Sequence, residues 1–324
     1  MLQKKEEASI NLAVTEPTLK VVEYSISDFL PISPKPKIVY LGAFLLGLLV
    51  PFGIVYLILI LDTKVQSKLD VDALANGISV IAEVPQIKFG SNSIFSNPND
   101  RSVLAESFRI LTTNMNFVLP PEKGGKAIFC TSTIKGEGKT FISLNFSLAL
   151  ASLNNKVLLI GGDLRNPQLH SYAEFDKNQV GLSNYLNDPL IDWKSLPMQV
   201  FEKQPNHEVL FSGTIPPNPA HLLANGNFET LIKEAKLIYD FVIVDLAPII
   251  LVTDTLLIAH QADATICVVR SNHTDKKLIP FSVNLSKTER LKNMSYVING
   301  ISENKSYGYS YNYGYNYGYG EPES

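Results

Sequence analysis

The distribution of apolar residues separates one long uncharged run from a region of shorter apolar runs. Residues 38–61 contain no charged side chain. As a helix, the 24 residues of this run would rise about 36 Å, enough to cross a hydrocarbon layer about 30 Å thick. We predict a transmembrane helix over 38–61. Pro51 and Gly53 are tolerated there because packing, water or a local distortion can satisfy the backbone.

The rest of the chain alternates between apolar strand-like runs and helical patterns. One helix is predicted over 102–118, where apolar residues recur every three or four positions. Nearly continuous apolar strands separated by helices predict an α/β fold, with a mostly parallel sheet covered by helices on both faces. Ligands of such sheets bind at the carboxyl ends of the strands. The predicted strands are 127–132, 157–162, 208–213, 241–246, 264–269 and 295–300.

Composition narrows the class of protein. The 324 residues are 45% hydrophobic and 18% charged, with a formal net charge of -3. This apolar content excludes a fully disordered chain, and the near-neutral balance argues against a nucleic-acid partner, which usually requires a basic face. The two cysteines, Cys130 and Cys267, cannot form a disulfide scaffold. Both lie in apolar runs and are interpreted as buried structural thiols.

A phosphate-binding loop follows the first strand of the predicted sheet. The sequence TIKGEGKT, residues 133–140, has Thr133 where the first glycine of a P-loop usually stands, but its G-x-G-K-T part is intact. Glycines let backbone amides turn toward phosphate oxygens, and the following helix start adds open N–H donors. Lys139 is expected to reach the β- and γ-phosphates of ATP, and Thr140 to bind Mg²⁺. The predicted nucleotide-binding residues are Lys135, Gly136, Glu137, Gly138, Lys139, Thr140 and Phe141.

Two carboxylates follow other apolar strands. Asp245 ends FVIVD and is predicted to be a magnesium-side carboxylate; a turn cap after a strand is the alternative. Asp163 and Arg165 follow VLLIGG. A carboxylate at Asp163 could hold Mg²⁺ or a water on it, but an ordinary exit from a strand explains this segment equally well.

The C-terminal tail is rich in tyrosine. Its tyrosines alternate with Gly, Ser or Asn and have no apolar partner face, so we predict disorder. Free phenols beside a site for cytosolic ATP suggest phosphate acceptors, and phosphorylating all of them would add about -10 to -14 charges. A sticky tail and an RNA-contacting tail are the alternatives, although no Arg lies among the tyrosines. The predicted acceptors are Tyr307, Tyr309, Tyr311, Tyr313, Tyr315, Tyr317 and Tyr319.

Together these motifs resemble the bacterial tyrosine kinases (BY-kinases) of capsular and exopolysaccharide export. The resemblance runs through the membrane helix, TIKGEGKT, GGDLRNP, GTIPPNPAHLL (213–223), VIVDLAPIILVTD (242–254) and the tyrosine cluster. It implies that Lys139, Asp163 and Asp245 are catalytic, and that Thr140, Asp163 and Asp245 bind Mg²⁺. It also implies a homo-oligomeric ring in which subunits phosphorylate their neighbours' tails. Glu106 and Arg109, in AESFRILTTN, match the helix through which such rings form.

The chain departs from the family pattern at three points. The second motif usually has two aspartates, D-x-D, and here the first is Gly161. The ring helix usually carries a further Arg where this chain has Thr112. The external domain of the family, with its first membrane helix, is not in this sequence, so we expect residues 1–37 to be an extracytoplasmic remnant with a proline-rich segment.

These observations predict a membrane-anchored, ATP- and Mg²⁺-dependent protein-tyrosine autokinase. The resemblance further implies that it regulates polysaccharide polymerisation and export and that a tyrosine phosphatase opposes it. Lysines flank the membrane helix almost equally on both sides, so orientation rests on ATP: the domain at 102–300 faces the cytoplasm and the helix lies in the bacterial inner membrane. Residues 62–101, with a short helix predicted over 69–77 and a strand over 78–85, are predicted to be a cytoplasmic linker, and 301–324 the disordered tyrosine cluster.

Two alternatives stay open. A P-loop ATPase of the partitioning or division-site type would carry a signature lysine at the position of Ile134, which disfavours it. A scaffold that binds ATP without transferring phosphate is favoured by Gly161.

Overall fold

The computed structural model describes residues 2–14, 33–87, 94–95, 97, 99–122, 124–172, 179–188 and 190–302. The chain divides into two units, Met1–Asp62 and Thr63–Ser324. The tyrosine cluster lies outside the described residues, so its predicted disorder and its role as phosphate acceptor stay predictions.

Among its described residues, the first unit has two helices, α1 (Leu2–Val14) and α2 (Pro36–Leu61). Helix α2 covers the whole predicted transmembrane segment and continues through Pro51. Its stretch Pro36–Ile58 has a mean hydropathy of 2.4, and none of it is buried within the part of the chain that the structure describes. An apolar surface on all sides of a long helix is typical of a segment that meets lipid rather than a protein core. The predicted helix is therefore confirmed as a helix, which begins two residues earlier than predicted, at Pro36, and ends at Leu61.

The second unit is built on a parallel sheet. Over the described residues it has seven strands in the order β1-β7-β6-β2-β5-β3-β4, and every pair is parallel. The predicted α/β class is thereby confirmed. The strands are β1 (Val80–Pro85), β2 (Lys126–Ser132), β3 (Val157–Gly161), β4 (His207–Leu210), β5 (Phe241–Asp245), β6 (Ala264–Arg270) and β7 (Met294–Ile301).

Helices cover both faces of this sheet, because its strands are apolar on both sides. Helix α5, which follows the P-loop, is buried all round from Thr140 to Ala151, as expected for a helix packed between the sheet and α4. The helices of this unit are α3 (Lys68–Asp72), α4 (Val103–Val118), α5 (Lys139–Ala151), α6 (Leu182–Asn187), α7 (Pro219–Ala224), α8 (Asn227–Ile238), α9 (Asp254–Ile258) and α10 (Ile279–Lys287).

Helix α4 confirms the helix predicted over 102–118. Its N-cap is Ser102, whose side chain accepts a hydrogen bond from the backbone N–H of Ala105. Its apolar stripe, which includes Phe108, Leu111 and Met115, is fully buried. The apolar residues that recur with a 3.6-residue period therefore form the face of α4 that packs on the core.

Strand β4 is shorter than the predicted run 208–213. It ends at Leu210 because the carbonyls of Phe211 and Ser212 accept hydrogen bonds from the first amides of α6 instead of continuing the ladder. The apolar pattern signals burial, but burial here continues beyond the last strand pairing.

Part of the segment predicted as a linker belongs to the sheet. Strand β1 lies at the sheet edge and pairs with β7. Val65 is fully buried, and Thr63 and Val65 exchange backbone hydrogen bonds with residues 272–276 in the loop after β6. Phe95 is also buried, and its N–H donates to Asn145 Oδ1 at 2.6 Å.

Candidate active site

The P-loop joins β2 to α5 at the carboxyl end of the sheet. Gly138 is the N-cap of α5 and has φ 90°, a left-handed conformation that favours glycine. A Cβ at this position would lie 2.1 Å from Asn299 Nδ2, so the Asn299 side chain would have to move. The first amides of α5 have no acceptor within the helix and can bind an anion.

Strand register brings the two predicted carboxylates to this loop. Asp245, the last residue of β5, lies opposite Cys130 of β2 on one side and Gly161 of β3 on the other. Asp163 follows β3 by two residues. The sequence-distant motifs therefore meet because β2, β5 and β3 are neighbours in the sheet and end at the same level.

Lys139 lies between these carboxylates. Its Nζ is 2.9 Å from Asp163 Oδ2 and 3.8 Å from Asp245 Oδ1, and all three side chains are at most 11% exposed. Burial disfavours the charge of Lys139, but Asp245 and Asp163 outweigh it and raise the pKa of the ammonium. Lys139 is therefore a fixed positive charge at the start of α5.

The residues around Asp245 fit a magnesium ion. Thr140 Oγ1 donates to Asp245 Oδ2 at 2.7 Å. The other oxygen, Oδ1, is buried and accepts no hydrogen bond within the described part of the chain. Mg²⁺ in phosphate sites is held by one or two carboxylates together with the phosphates themselves. This donor set fits that ion, although the described residues contain no group of three His, Cys, Asp or Glu that could hold a metal by themselves.

A cavity of about 430 Å³ opens beside the P-loop. Asp163 and Lys139 line it, whereas Asp245 does not and lies behind Thr140. Asp163 Oδ1 accepts the N–H of Asn166 at 3.0 Å, which orients the carboxylate. Of the predicted nucleotide-binding residues, those that line the cavity are Lys135, Gly136, Gly138, Lys139, Thr140 and Phe141.

Glu137 is the exception among the predicted nucleotide-binding residues. Its side chain is fully buried and is not part of the cavity wall. Its carboxylate accepts hydrogen bonds from Thr133 Oγ1 and from the N–H of Ile134. A nucleotide could therefore meet only the backbone of this residue.

The structure adds a residue that the sequence analysis missed. Asp254, at the start of α9, accepts a bidentate pair from Arg165: Nε to Oδ2 at 2.6 Å and Nη2 to Oδ1 at 3.0 Å. Arg165 also lines the cavity and its side chain is 45% exposed. The motif VTD in the sequence contains Asp254, but nothing local indicates that its partner is 89 positions away.

The predicted ring contacts pair with each other on α4. Arg109 Nη1 lies 3.2 Å from Glu106 Oε2, and the Arg109 guanidinium stands over the ring of Phe95 at 5.4 Å. Their contact with a second subunit stays a prediction.

Comparison with known proteins agrees with this geometry. No family model matches the chain. Tyrosine-protein kinase YwqD of Bacillus subtilis (strain 168) is 33% identical over 220 residues, which are 67% of this chain and 90% of YwqD. Tyrosine-protein kinase etk of Escherichia coli (strain K12) is 27% identical over an alignment of 332 positions that covers 95% of this chain but only 44% of etk. The chain thus spans less than half the length of that relative.

Solved structures have the same fold. The kinase domain of the Escherichia coli tyrosine kinase ETK aligns with a TM-score of 0.65 and 25% identity, covering 76% of this chain and 99% of that domain. The chimerical protein CapA2B2 aligns with a TM-score of 0.64 and 28% identity, covering 73% and 100%. With a P-loop, two strand-end aspartates and a relative that matches over nine-tenths of its length, the chain belongs to the bacterial tyrosine-protein kinases.

Proposed function

We propose that this chain is a membrane-anchored autokinase that transfers the γ-phosphoryl group of ATP to the C-terminal tyrosine cluster of a neighbouring subunit. One observation carries this proposal: Lys139 lies between Asp163 and Asp245 beside the open amides of α5. Such a cluster suits a triphosphate that is held by backbone amides and neutralised by a lysine and a metal ion.

The proposed role of each residue follows from how far its side chain is buried. Lys139 balances charge on the phosphate oxygens, and the backbone from Lys135 to Phe141 binds and orients the triphosphate. Thr140 and Asp245 would hold Mg²⁺, with Asp163 as a further ligand or as a ligand of a magnesium-bound water. When bound, Mg²⁺ supplies positive charge on the phosphate oxygens and fixes their orientation.

Transfer is a displacement at the γ-phosphorus. The tyrosine oxygen forms a bond to phosphorus, the bond to the β–γ bridging oxygen breaks, and ADP leaves with that oxygen. The phenol proton must go to a base. Asp163 is the better candidate because it lines the cavity, whereas Asp245 lies behind Thr140.

The membrane placement rests on α2 and on the source of ATP. Helix α2 is long and apolar enough to cross a bilayer. ATP is a cytosolic substrate, so the unit from Thr63 onward would face the cytoplasm of a bacterium, with α2 in the inner membrane.

The biological role is proposed from the family. We infer a homo-oligomeric ring, with Glu106 and Arg109 of α4 at the subunit contact, that regulates the polymerisation and export of capsule or exopolysaccharide. Charge added to the tail would change assembly by repulsion, and a tyrosine phosphatase would reverse it.

Mass spectrometry of the full chain in detergent tests the transfer. Incubation with Mg-ATP should label the tyrosines between Tyr307 and Tyr319. Lys139→Ala should abolish labelling, whereas Lys156→Ala, an exposed lysine remote from the cavity, should retain it. Phosphate release without tail labelling would favour the ATPase, and neither product would favour the ATP-binding scaffold.

A mixing experiment tests transfer between subunits. Lys139→Ala with an intact tail is combined with an active chain whose seven tail tyrosines are replaced by Phe. Labelled tyrosines on the Lys139→Ala chain are expected. If neither chain of the mixture is labelled while the wild type alone is, transfer takes place within one chain.

A further inference from the structure

Glu137 lies between the two glycines of the P-loop, yet its side chain faces away from the cavity. It is fully buried. Its Oε1 accepts from Thr133 Oγ1 at 2.7 Å and also from Thr274 Oγ1, and its Oε2 accepts from the Ile134 N–H at 2.8 Å. In the described part of the chain, no cation lies within ion-pair distance of this carboxylate. Three donors therefore compensate its burial.

Thr274 is the one of these donors that comes from outside the P-loop. It lies in the loop after β6, and its side chain is fully buried. Its Oγ1 accepts the N–H of Arg270 at 2.8 Å, so its own hydroxyl proton is directed to Glu137. The Thr274 side chain thus joins the end of β6 to the P-loop.

Side chains from β6, β7 and the loop after β6 also contact the backbone carbonyl groups of the P-loop. Arg270 Nη1 donates to the carbonyl of Gly136 at 3.0 Å, and Asn299 Nδ2 donates to that of Glu137 at 2.9 Å. His273 Nε2 lies 3.0 Å from the carbonyl of Lys135. Donors on the β6–β7 side therefore hold three successive carbonyls.

This arrangement determines where the amides point. In a trans peptide the carbonyl of one residue and the N–H of the next point in opposite directions. Carbonyls of residues 135–137 that point to the β6–β7 side leave the N–H groups of residues 136–138 pointing to the opposite side, toward the cavity. The loop after β6 can therefore set the orientation of the phosphate-binding amides.

We propose that Glu137 and Thr274 are positioning residues for nucleotide binding: the Thr274 hydroxyl, through the Glu137 carboxylate, holds the P-loop in the shape that presents its amides to the triphosphate. This inference rests on the proposed nucleotide site. Neither side chain touches the nucleotide, so both act on affinity through the loop.

The test compares nearly isosteric variants of the full chain in detergent, with Mg-ADP as the probe. Thr274→Val removes the hydroxyl, and with it both the hydrogen bond donated to Glu137 and the one accepted from the Arg270 N–H. The dissociation constant of Mg-ADP should rise about tenfold, since the bond to the charged carboxylate is lost. Thr274→Ser keeps the hydroxyl and should bind as the wild type does. Thr265→Val is the matched control, because the buried Thr265 Oγ1 has no hydrogen-bond partner in the described part of the chain.

Affinity is measured well below the unfolding temperature, and that temperature is recorded without nucleotide. A Thr274→Val variant that melts lower but binds Mg-ADP with the wild-type constant would overturn the inference and leave the proposed function standing. A folded wild type that does not bind Mg-ADP would overturn both. Glu137→Ala, which leaves three donors without an acceptor, should weaken binding at least as much as Thr274→Val.

Discussion

The two sides of the P-loop hold buried carboxylates in different ways. On the β3–β5 side, Asp163 and Asp245 share the ammonium of Lys139 and lie at or just behind the cavity wall. On the β6–β7 side, Glu137 is satisfied by hydroxyl and amide donors and faces away from the cavity. Charge lies where phosphates and a metal would bind, and directional hydrogen bonds lie where the loop must keep its shape. We expect the β3–β5 side to control the rate of phosphoryl transfer and the β6–β7 side to control the affinity for nucleotide.

The largest expected effect is on transfer. Asp245→Asn keeps an acceptor for Thr140 but removes the negative charge available to Mg²⁺. We expect the rate of tail labelling to fall at least about 100-fold, with a higher Mg²⁺ requirement. The measurement is the labelling rate as a function of Mg²⁺ concentration, with Asp72→Asn, an exposed carboxylate of α3, as control. If Asp245→Asn labelled the tail at the wild-type rate, the inference that the β3–β5 side controls transfer would be wrong.

Replacing Lys139, on the β3–β5 side of the P-loop, should lower the stability of the folded protein. Lys139→Met leaves two buried carboxylates without their cation, and we expect the free energy of unfolding to fall by about 3 kcal/mol. Lys139→Met/Asp163→Asn should recover part of this loss, because one of the two charges is gone. Denaturant unfolding can follow Trp193, the one tryptophan of the chain, which is buried in the second unit. A double variant no more stable than Lys139→Met would contradict the inference that the charge of Lys139 stabilises these buried carboxylates.

A smaller effect is expected at Gly161, where the family pattern has an aspartate. A Cβ there would lie 2.6 Å from Ser212 Oγ, which donates to the Gly161 carbonyl at 2.7 Å. Gly161→Ala should therefore lower the free energy of unfolding by about 1–3 kcal/mol. Gly161→Ala should cost less stability in a Ser212→Gly background than in the wild type, because the contact with Oγ is gone and only the Ser212 backbone N, 3.1 Å from the new Cβ, stays close. An equal cost in the two backgrounds would show that the Ser212 side chain is not what excludes a side chain at Gly161.

The last prediction concerns stability at low pH and should leave activity at pH 7 unchanged, because the residue lies away from the P-loop. His207, at the start of β4, is fully buried, and its Nε2 lies 2.8 Å from Ser147 Oγ of α5. Burial lowers the pKa of His207 from 6.5 to about 3. Between these values only the unfolded chain takes up the proton, so stability falls as pH drops below 6.5, by up to about 1.4 kcal/mol per pH unit.

The variant that tests this is His207→Phe. Its melting temperature should depend less on pH between 6.5 and 4 than that of the wild type, while tail labelling at pH 7 is retained. An unchanged pH dependence would show that His207 is not the group that titrates.

Local pattern was sufficient for much of the fold. The uncharged run predicted α2, the apolar runs predicted the parallel strands, and G-x-G-K-T placed the P-loop between β2 and α5. These features depend on residues close together in the chain, where hydrophobic period and glycine conformation act directly. The prediction was less accurate after Leu210, where burial continues beyond the last strand pairing. It also placed a strand over 78–85 but assigned it to the linker rather than to the sheet, where the structure has β1.

The sequence by itself determined that Lys139, Thr140, Asp163 and Asp245 follow strands of one sheet, and hence that they belong to one edge. Only the tertiary structure decided which of them face the cavity, that Asp254 holds Arg165, and that Thr274 reaches Glu137 from 137 positions away. The reason is physical: those contacts depend on which strands are neighbours and on how they are aligned. Local propensity does not encode the order that places β6 and β5 on opposite sides of β2.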